Sequence, residues 1–288
     1  MPNSISETIF EGAHRLRQAG VPEARREAGS LLAHVLERDR SFILSHAEDA
    51  IAENEAERFR AYVERRANGE PLQYITANQE FFGLDFEVTK DVLIPRPETE
   101  LLIEAVLKLF DRAATAFICD VGTGSGCIAI TLLKQLPKAR AIAIDISPEA
   151  LAVARRNAVR HRVAERIEFL LSDCFAALET PELAPTTFDL IVSNPPYVED
   201  GAMSGLQREV RDFEPLNALS AGPDGLAVIR RLLVEAADFL KPRSYLLFEI
   251  GFNQAEAIER LLDPKTWRLM EIFEDLQGIP RTVALRRR

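Results

Sequence analysis

Two short stretches of this chain could do chemistry together. The first, Asp120-Val121-Gly122-Thr123-Gly124-Ser125-Gly126, follows an apolar run and precedes a helical pattern. Glycine lets a backbone turn tightly and approach a ligand closely, and a glycine loop between a strand and a helix is a nucleotide-binding arrangement. The GxGxxG spacing of nicotinamide enzymes would need a glycine at 127, where the chain has Cys127. A pyrophosphate is disfavoured beside the Asp120 carboxylate, so a ligand with a cationic part is expected. The second stretch, Asn194-Pro195-Pro196-Tyr197, ends the run "FDLIVSNPPY". Neither proline can donate to a ladder, so the strand stops there in a stiff turn. The Asn194 amide oxygen and a following backbone carbonyl make two acceptors that can hold both hydrogens of a planar NH2. The Tyr197 ring could lie against the face of that group. Taken alone, the same four residues could be an edge turn without chemistry.

Two more acids accompany the loop. Asp145 ends "AIAID", where a carboxylate can accept from both ribose hydroxyls. Asp173, in "LLSDCF", stands where an acid or amide can bind the amino group of adenine, and Cys174 beside it reads as an apolar wall. A lone strand-end Asp is more often a helix cap, but Ser147 ahead of Pro148 can cap the next helix and free Asp145. Three strand-end acids around one glycine loop outline a nucleoside bearing a positive group. S-adenosylmethionine, with adenine, ribose, ammonium and sulfonium, is the expected cofactor. A planar amide or exocyclic amine facing it would be a poor nucleophile, so positioning and well-placed acceptors would supply the catalysis.

The rest of the chain must hold these residues. Residues 1–70 read as short amphipathic helices: Ser4 and Glu7 form a capping box, Pro22 opens a second helix, and Asn68-Gly69 stops a third. Such helices bury their apolar stripes on one another, which predicts a small N-terminal helical bundle. Residues 71–90 mix aromatic and β-branched residues with turn formers and read as a β-hairpin linker. From residue 91 a proline-punctuated loop leads into a helix, and from Phe117 apolar strands alternate with helices before two final strands. The expected fold is α/β: a doubly wound, seven-stranded, mostly parallel Rossmann-like sheet over 91–288, covered on both faces. "AFICDV" and "FDLIVS" would flank the point where the strand order reverses, which brings the Asn194 turn opposite the glycine loop.

Composition narrows the class. The 288 residues are 47% hydrophobic and 28% charged, which is ordinary for a globular protein. Cys119, Cys127 and Cys174 form no CxxC pair, which argues for a reducing, cytoplasmic setting. Four histidines without ligand spacing give no reason to expect a metal. The first residues lack the pattern of a signal peptide, and no apolar run is long enough to span a bilayer. The net charge of −10 is spread along the chain, so neither half is a basic nucleic-acid face.

Taken together, "DVGTGSG" and "SNPPY" resemble the class I methyltransferases that act on planar nitrogens. With "EPLQYI", "LIPRPETE" and "VRDFEPLNALSAGPDGL", the pattern is similar to the HemK-type protein-(glutamine-N5) methyltransferases along nearly the whole chain. The resemblance implies S-adenosylmethionine as cofactor and, as substrate, the glutamine in the Gly-Gly-Gln tip of class 1 peptide chain release factors. Carried over by motif, Gly122 to Gly126 would bind the methionine portion and Asp145 the ribose. Asp173 and Cys174 would border the adenine, and Asn194, Pro195, Pro196 and Tyr197 would hold the substrate glutamine. The helical N-terminus would contact the release factor. Family members often carry an aromatic residue where this chain has Cys174. The alternatives are an amino methyltransferase of adenine or cytosine, which would normally need a basic surface, and a non-catalytic binding protein with a vestigial cofactor site.

Overall fold

The computed structural model describes residues 3–179 and 187–288. The chain divides into two units, one of Met1–Asn78 with Gln207–Phe213, the other of Gln79–Leu206 with Glu214–Arg288.

The first unit is helical. Helix α1 (Ile5–Gln18) begins with the expected capping box, Ser4 Oγ accepting from Glu7 N–H and the Glu7 carboxylate from Ser4 N–H. Helix α2 (Ala24–Leu36) starts two residues beyond Pro22, so the proline lies in the turn before the helix. A short helix absent from the sequence reading, α3 (Arg40–Ser45), is capped by Asp39. Helix α4 (Glu53–Ala67) ends at Asn68, and Gly69 has φ +100°. Leu16, Leu31, Leu32, Phe59 and Val63 fill the core between these helices. Arg66 pairs with Glu27 at 2.5 Å and with Glu209 at 2.9 Å, which ties helix α9 (Arg208–Phe213) into this unit.

The expected 71–90 hairpin is shorter than read. Its first part is helix α5 (Leu72–Thr76), and only β1 (Gln79–Phe81) and β2 (Leu84–Phe86) form an antiparallel pair. Phe81 and Phe86 are buried in the core of the second unit, which is why the hairpin belongs to that unit.

Among the described residues, seven strands build the sheet of the second unit. They are β3 (Phe117–Val121), β4 (Arg140–Asp145), β5 (Ile167–Leu171), β6 (Phe188–Ser193), β7 (Leu240–Glu249), β8 (Trp267–Glu274) and β9 (Pro280–Arg287). Their order is β5-β4-β3-β6-β7-β9-β8, parallel except for β9, which is antiparallel to both β7 and β8. Each central strand is buried on both faces. Ile118, Ala143, Leu190 and Leu247 pack under helices α6 (Glu100–Leu109), α7 (Cys127–Gln135) and α8 (Pro148–Arg160). Their neighbours Cys119, Ile144, Ile191 and Phe248 pack under α10 (Ala227–Phe239) and α11 (Ala255–Leu261). That two-sided burial is what the unbroken apolar runs predict.

Candidate active site

The chain reverses its direction of travel across the sheet between β3 and β6. Such a reversal opens a crevice beyond the carboxyl ends of the strands. Val121 lies opposite Ser193 in the register, and Ser193 Oγ donates to Val121 O at 2.7 Å. The glycine loop and the Asn194–Tyr197 turn therefore leave the sheet side by side. One pocket is lined by both, and Gly122, Thr123, Gly124, Ser125, Asp145, Asp173, Cys174, Asn194, Pro195 and Pro196 all face it.

The loop is held from within. Gly122 and Thr123 N–H donate to Ile144 O at 2.8 and 2.9 Å, and Gly126 N–H donates to Thr123 O at 2.8 Å. Gly124 N–H donates to Asp145 Oδ2 at 2.8 Å. With these four amides occupied, the loop is a poor phosphate cradle. Gly122 and Gly124 have φ +74° and +56°, and a Cβ on either would point into open space. Ligand room thus begins directly above the backbone. Asn157, buried on α8, braces the loop by donating to Ser125 O at 2.9 Å.

Three of the sequence-predicted residues stand behind this surface. Asp120 is fully buried beneath the loop, where Oδ2 accepts from Thr123 Oγ1 at 2.7 Å and from Ala129 N–H at 3.2 Å, while Oδ1 has no partner. Burial pushes its carboxyl up to about 7, against the pull of the Thr123 and Ala129 bonds, and the Asp145 charge adds to the rise. At Gly126 a Cβ would come within 2.8 Å of Ile130 Cδ1 and 3.2 Å of Ala154 Cβ, so this glycine permits close helix packing. Tyr197 directs its hydroxyl to Glu249 Oε1 at 3.1 Å, and burial pushes its phenol above the usual range.

The other acids divide in use. Asp145 accepts Gly124 N–H and, at 2.9 Å, Ser147 N–H; burial raises its carboxyl, and those bonds oppose the rise. Ser147 Oγ accepts Ala150 N–H at 3.0 Å, so the helix cap is Ser147 and not Asp145. Asp173 lines the pocket, but its Oδ1 is held at 2.7 Å by Arg231 of α10. Cys174 has φ +48°, and burial pushes its thiol up to about 11.

Around Asn194 the structure adds residues that the sequence reading passed over. Asn194 Nδ2 donates to Thr99 Oγ1 at 3.0 Å, and Thr99 Oγ1 donates to Glu249 Oε2 at 2.6 Å. Thr99 lies in "LIPRPETE", at the start of α6, and Glu249 is the last residue of β7. Burial raises the Glu249 carboxyl, while the Thr99 and Tyr197 bonds and the Arg281 charge pull it down. Glu249 meets the same criterion that singled out Asp120, Asp145 and Asp173: an acid closing an apolar strand.

Two family models match separate parts of the chain. The PrmC N-terminal domain model matches residues 7–76, and a methyltransferase domain model matches residues 114–272. The release factor glutamine methyltransferase of Koribacter versatilis is 43% identical over 284 residues, covering 99% of both chains. That of Cereibacter sphaeroides is 43% identical over 272 residues, covering 94% of both. The chain belongs to the release factor glutamine methyltransferase family. A solved methyltransferase from Pyrococcus furiosus shares the fold, with a TM-score of 0.51 and 18% identity, over 72% of this chain and 90% of that one.

S-adenosylmethionine is the methyl donor of a methyltransferase of this family, and the residues present fit it. The space above Gly122 and Gly124 takes a ligand against bare backbone, and the buried Asp120 Oδ1 lacks a partner beneath it. The Asp145 carboxylate beside the loop suits a ligand with a cationic part, whereas the charge of Asp173 is matched by Arg231. Among the described residues, no helix is long and apolar enough to cross a membrane.

Proposed function

We propose that this chain methylates the side-chain amide nitrogen, N5, of the glutamine in the Gly-Gly-Gln motif of class 1 peptide chain release factors. What carries the reading is the full-length match at 43% identity to a release factor glutamine methyltransferase, joined to a pocket whose two walls are the glycine loop and the Asn194 turn. The cofactor supplies an electrophilic methyl group on a sulfonium.

The chain's own residues do the rest. Gly122 and Gly124 let the methionine portion lie against the backbone, and Asp145 has lone pairs left for the ribose hydroxyls after accepting two N–H bonds. Cys174 and the Asp173 backbone border the adenine, with the Asp173 carboxylate engaged by Arg231. Asn194 Oδ1 and a carbonyl of the Pro195-Pro196 segment accept the two hydrogens of the substrate amide. Two acceptors hold the nitrogen in line with the methyl group and favour the positive charge that grows on it as its lone pair forms the N–C bond. When bound, the cofactor would keep the electrons of the broken S–C bond on sulfur, and the amide proton would then be acidic enough to leave for water. The acidic chain, at −10, is a poor match for a nucleic acid backbone and a better one for a protein substrate.

The test pairs two substitutions. Transfer to release factor is expected to vanish when its Gly-Gly-Gln glutamine is changed to Ala. Asn194→Ala is expected to abolish transfer while calorimetry shows cofactor binding within a few fold of the unmutated chain. Loss of both together would make Asn194 a cofactor or folding residue.

A further inference from the structure

Glu249 is a buried acid that the reaction above does not use. It closes β7, and because Ser193 of β6 lies opposite Phe248, it stands beside Asn194 across the ladder. Two hydroxyls meet it: Thr99 Oγ1 at 2.6 Å on Oε2 and Tyr197 OH at 3.1 Å on Oε1. The Arg281 charge acts on it through space. Ionised, Glu249 can only accept, and both hydroxyls then direct their single hydrogen to it. Thr99 Oγ1 is then left with lone pairs alone to offer Asn194, 3.0 Å away. The group of Asn194 that faces Thr99 must therefore be its NH2. The amide oxygen, on the opposite side of the same planar group, is left for the pocket that Asn194 lines.

We propose that Glu249, acting through Thr99, is a positioning residue that fixes the Asn194 amide with its oxygen toward the substrate. The inference rests on the amide-methylating role given to Asn194 above, and it adds the device that sets the direction of that side chain. An unconstrained amide can rotate by half a turn at little steric cost, since oxygen and NH2 are nearly the same size. A reversed Asn194 would point two hydrogens at a substrate NH2 that also has only hydrogens to give. The relay excludes that state. It also polarises the Asn194 amide along a chain of bonds ending on a negative charge, which strengthens its oxygen as an acceptor. Thr99 and Glu249 are 150 positions apart in sequence, and both are almost wholly buried. That burial works against ionisation of Glu249, while the Thr99 and Tyr197 bonds and the Arg281 charge work for it.

Isosteric substitutions isolate the effect. Glu249→Gln can present NH2 to Thr99, which reverses the hydroxyl and with it the Asn194 amide. Thr99→Val removes the hydroxyl at constant shape, and Thr99→Ser restores it. The full chain, labelled with 15N-asparagine, reports the Asn194 side-chain signal directly, assigned by its loss in Asn194→Asp. Methyl transfer to release factor, cofactor binding and thermal midpoint are measured on the same samples.

In Glu249→Gln and Thr99→Val the Asn194 signal should move, and kcat/KM should fall about 100-fold, the scale of losing one preorganised polar group at a reacting centre. Cofactor affinity should stay within about threefold, and Thr99→Ser should recover most of what Thr99→Val loses. An Asn194 signal unmoved in both variants overturns the relay whatever the activities. A loss of activity that follows a collapse in thermal midpoint, without recovery in Thr99→Ser, also overturns it. If the unmutated chain fails to methylate release factor, the substrate reading falls, and the Asn194 signal still decides the relay.

Discussion

Gly225 offers a sharp test of how the Asn194–Tyr197 turn is held. It has φ +68°, and a Cβ there would collide with the Tyr197 carbonyl oxygen and come within 2.8 Å of Gln254 Nε2. That carbonyl accepts from Gln254 Nε2 at 3.1 Å, and Gln254 Oε1 accepts from Gly251 N–H at 2.8 Å, so the contact sits inside a bonded brace. Gly222, three residues earlier, is the control: its φ is +82°, but its Cβ would meet only Ala227 Cβ at 3.5 Å. Replacing either glycine with alanine places an L-residue in the left-handed region, at about 1–2 kcal/mol. Gly225→Ala adds overpacking against backbone, at about 1–3 kcal/mol. The difference between the two variants is therefore about 1–3 kcal/mol. At roughly 2–4 °C per kcal/mol for a unit of this size, that separates their thermal midpoints by about 2–12 °C. Methyl transfer should separate further, because a shift of the order of 1 Å at a reacting group can cost about 100-fold. Scanning calorimetry and initial-rate assays on both variants supply the numbers. Equal midpoints and equal rates would refute the idea that Gly225 is there to let Tyr197 approach.

Asp120 predicts a dependence on pH. Its folded value of about 7 lies above that of an unfolded aspartate, about 3.9. The folded state therefore binds the proton more tightly, so this group's contribution is fully present below pH ~4 and is lost as pH rises through ~7. Asp120→Asn does not titrate, so its stability relative to the unmutated chain should improve by up to about 4 kcal/mol between those limits, read by urea unfolding at each pH. A gap that stays constant with pH would contradict a buried carboxyl whose Oδ1 has no partner. Cys174, its thiol raised to about 11, should alkylate with iodoacetamide at neutral pH far more slowly than free cysteine, whose value is near 8.5. Alkylation as fast as free cysteine would contradict the burial.

Local chemistry was legible in the sequence. A glycine loop, a strand that two prolines end and a serine cap each depend on a handful of adjacent residues, and all of them stand where their spacing predicts. The doubly wound, mostly parallel sheet and its reversal between "AFICDV" and "FDLIVS" also followed, since strands alternating with helices leave few routes. What stayed hidden depends on register. That Glu249 lies beside Asn194 follows from Ser193 facing Phe248, and no run of residues reports that pairing. Asp173 looked free at its strand end because Arg231 is 58 positions away, on a helix whose rotation the sequence does not fix. The short hairpin within 71–90 joins the second unit because Phe81 and Phe86 are buried in its core, a tertiary preference that its turn formers do not show.

The central claim is that the amide of a release factor glutamine receives the methyl group. The direct measurement is mass spectrometry of a class 1 release factor after incubation with the purified chain and S-adenosylmethionine, with peptides read through the Gly-Gly-Gln motif. The account predicts one methyl group on that glutamine, and none on the factor whose glutamine is replaced by Ala. A methyl group that persists on the Ala factor, or that appears on adenine or cytosine of added nucleic acid while the glutamine stays bare, would contradict it.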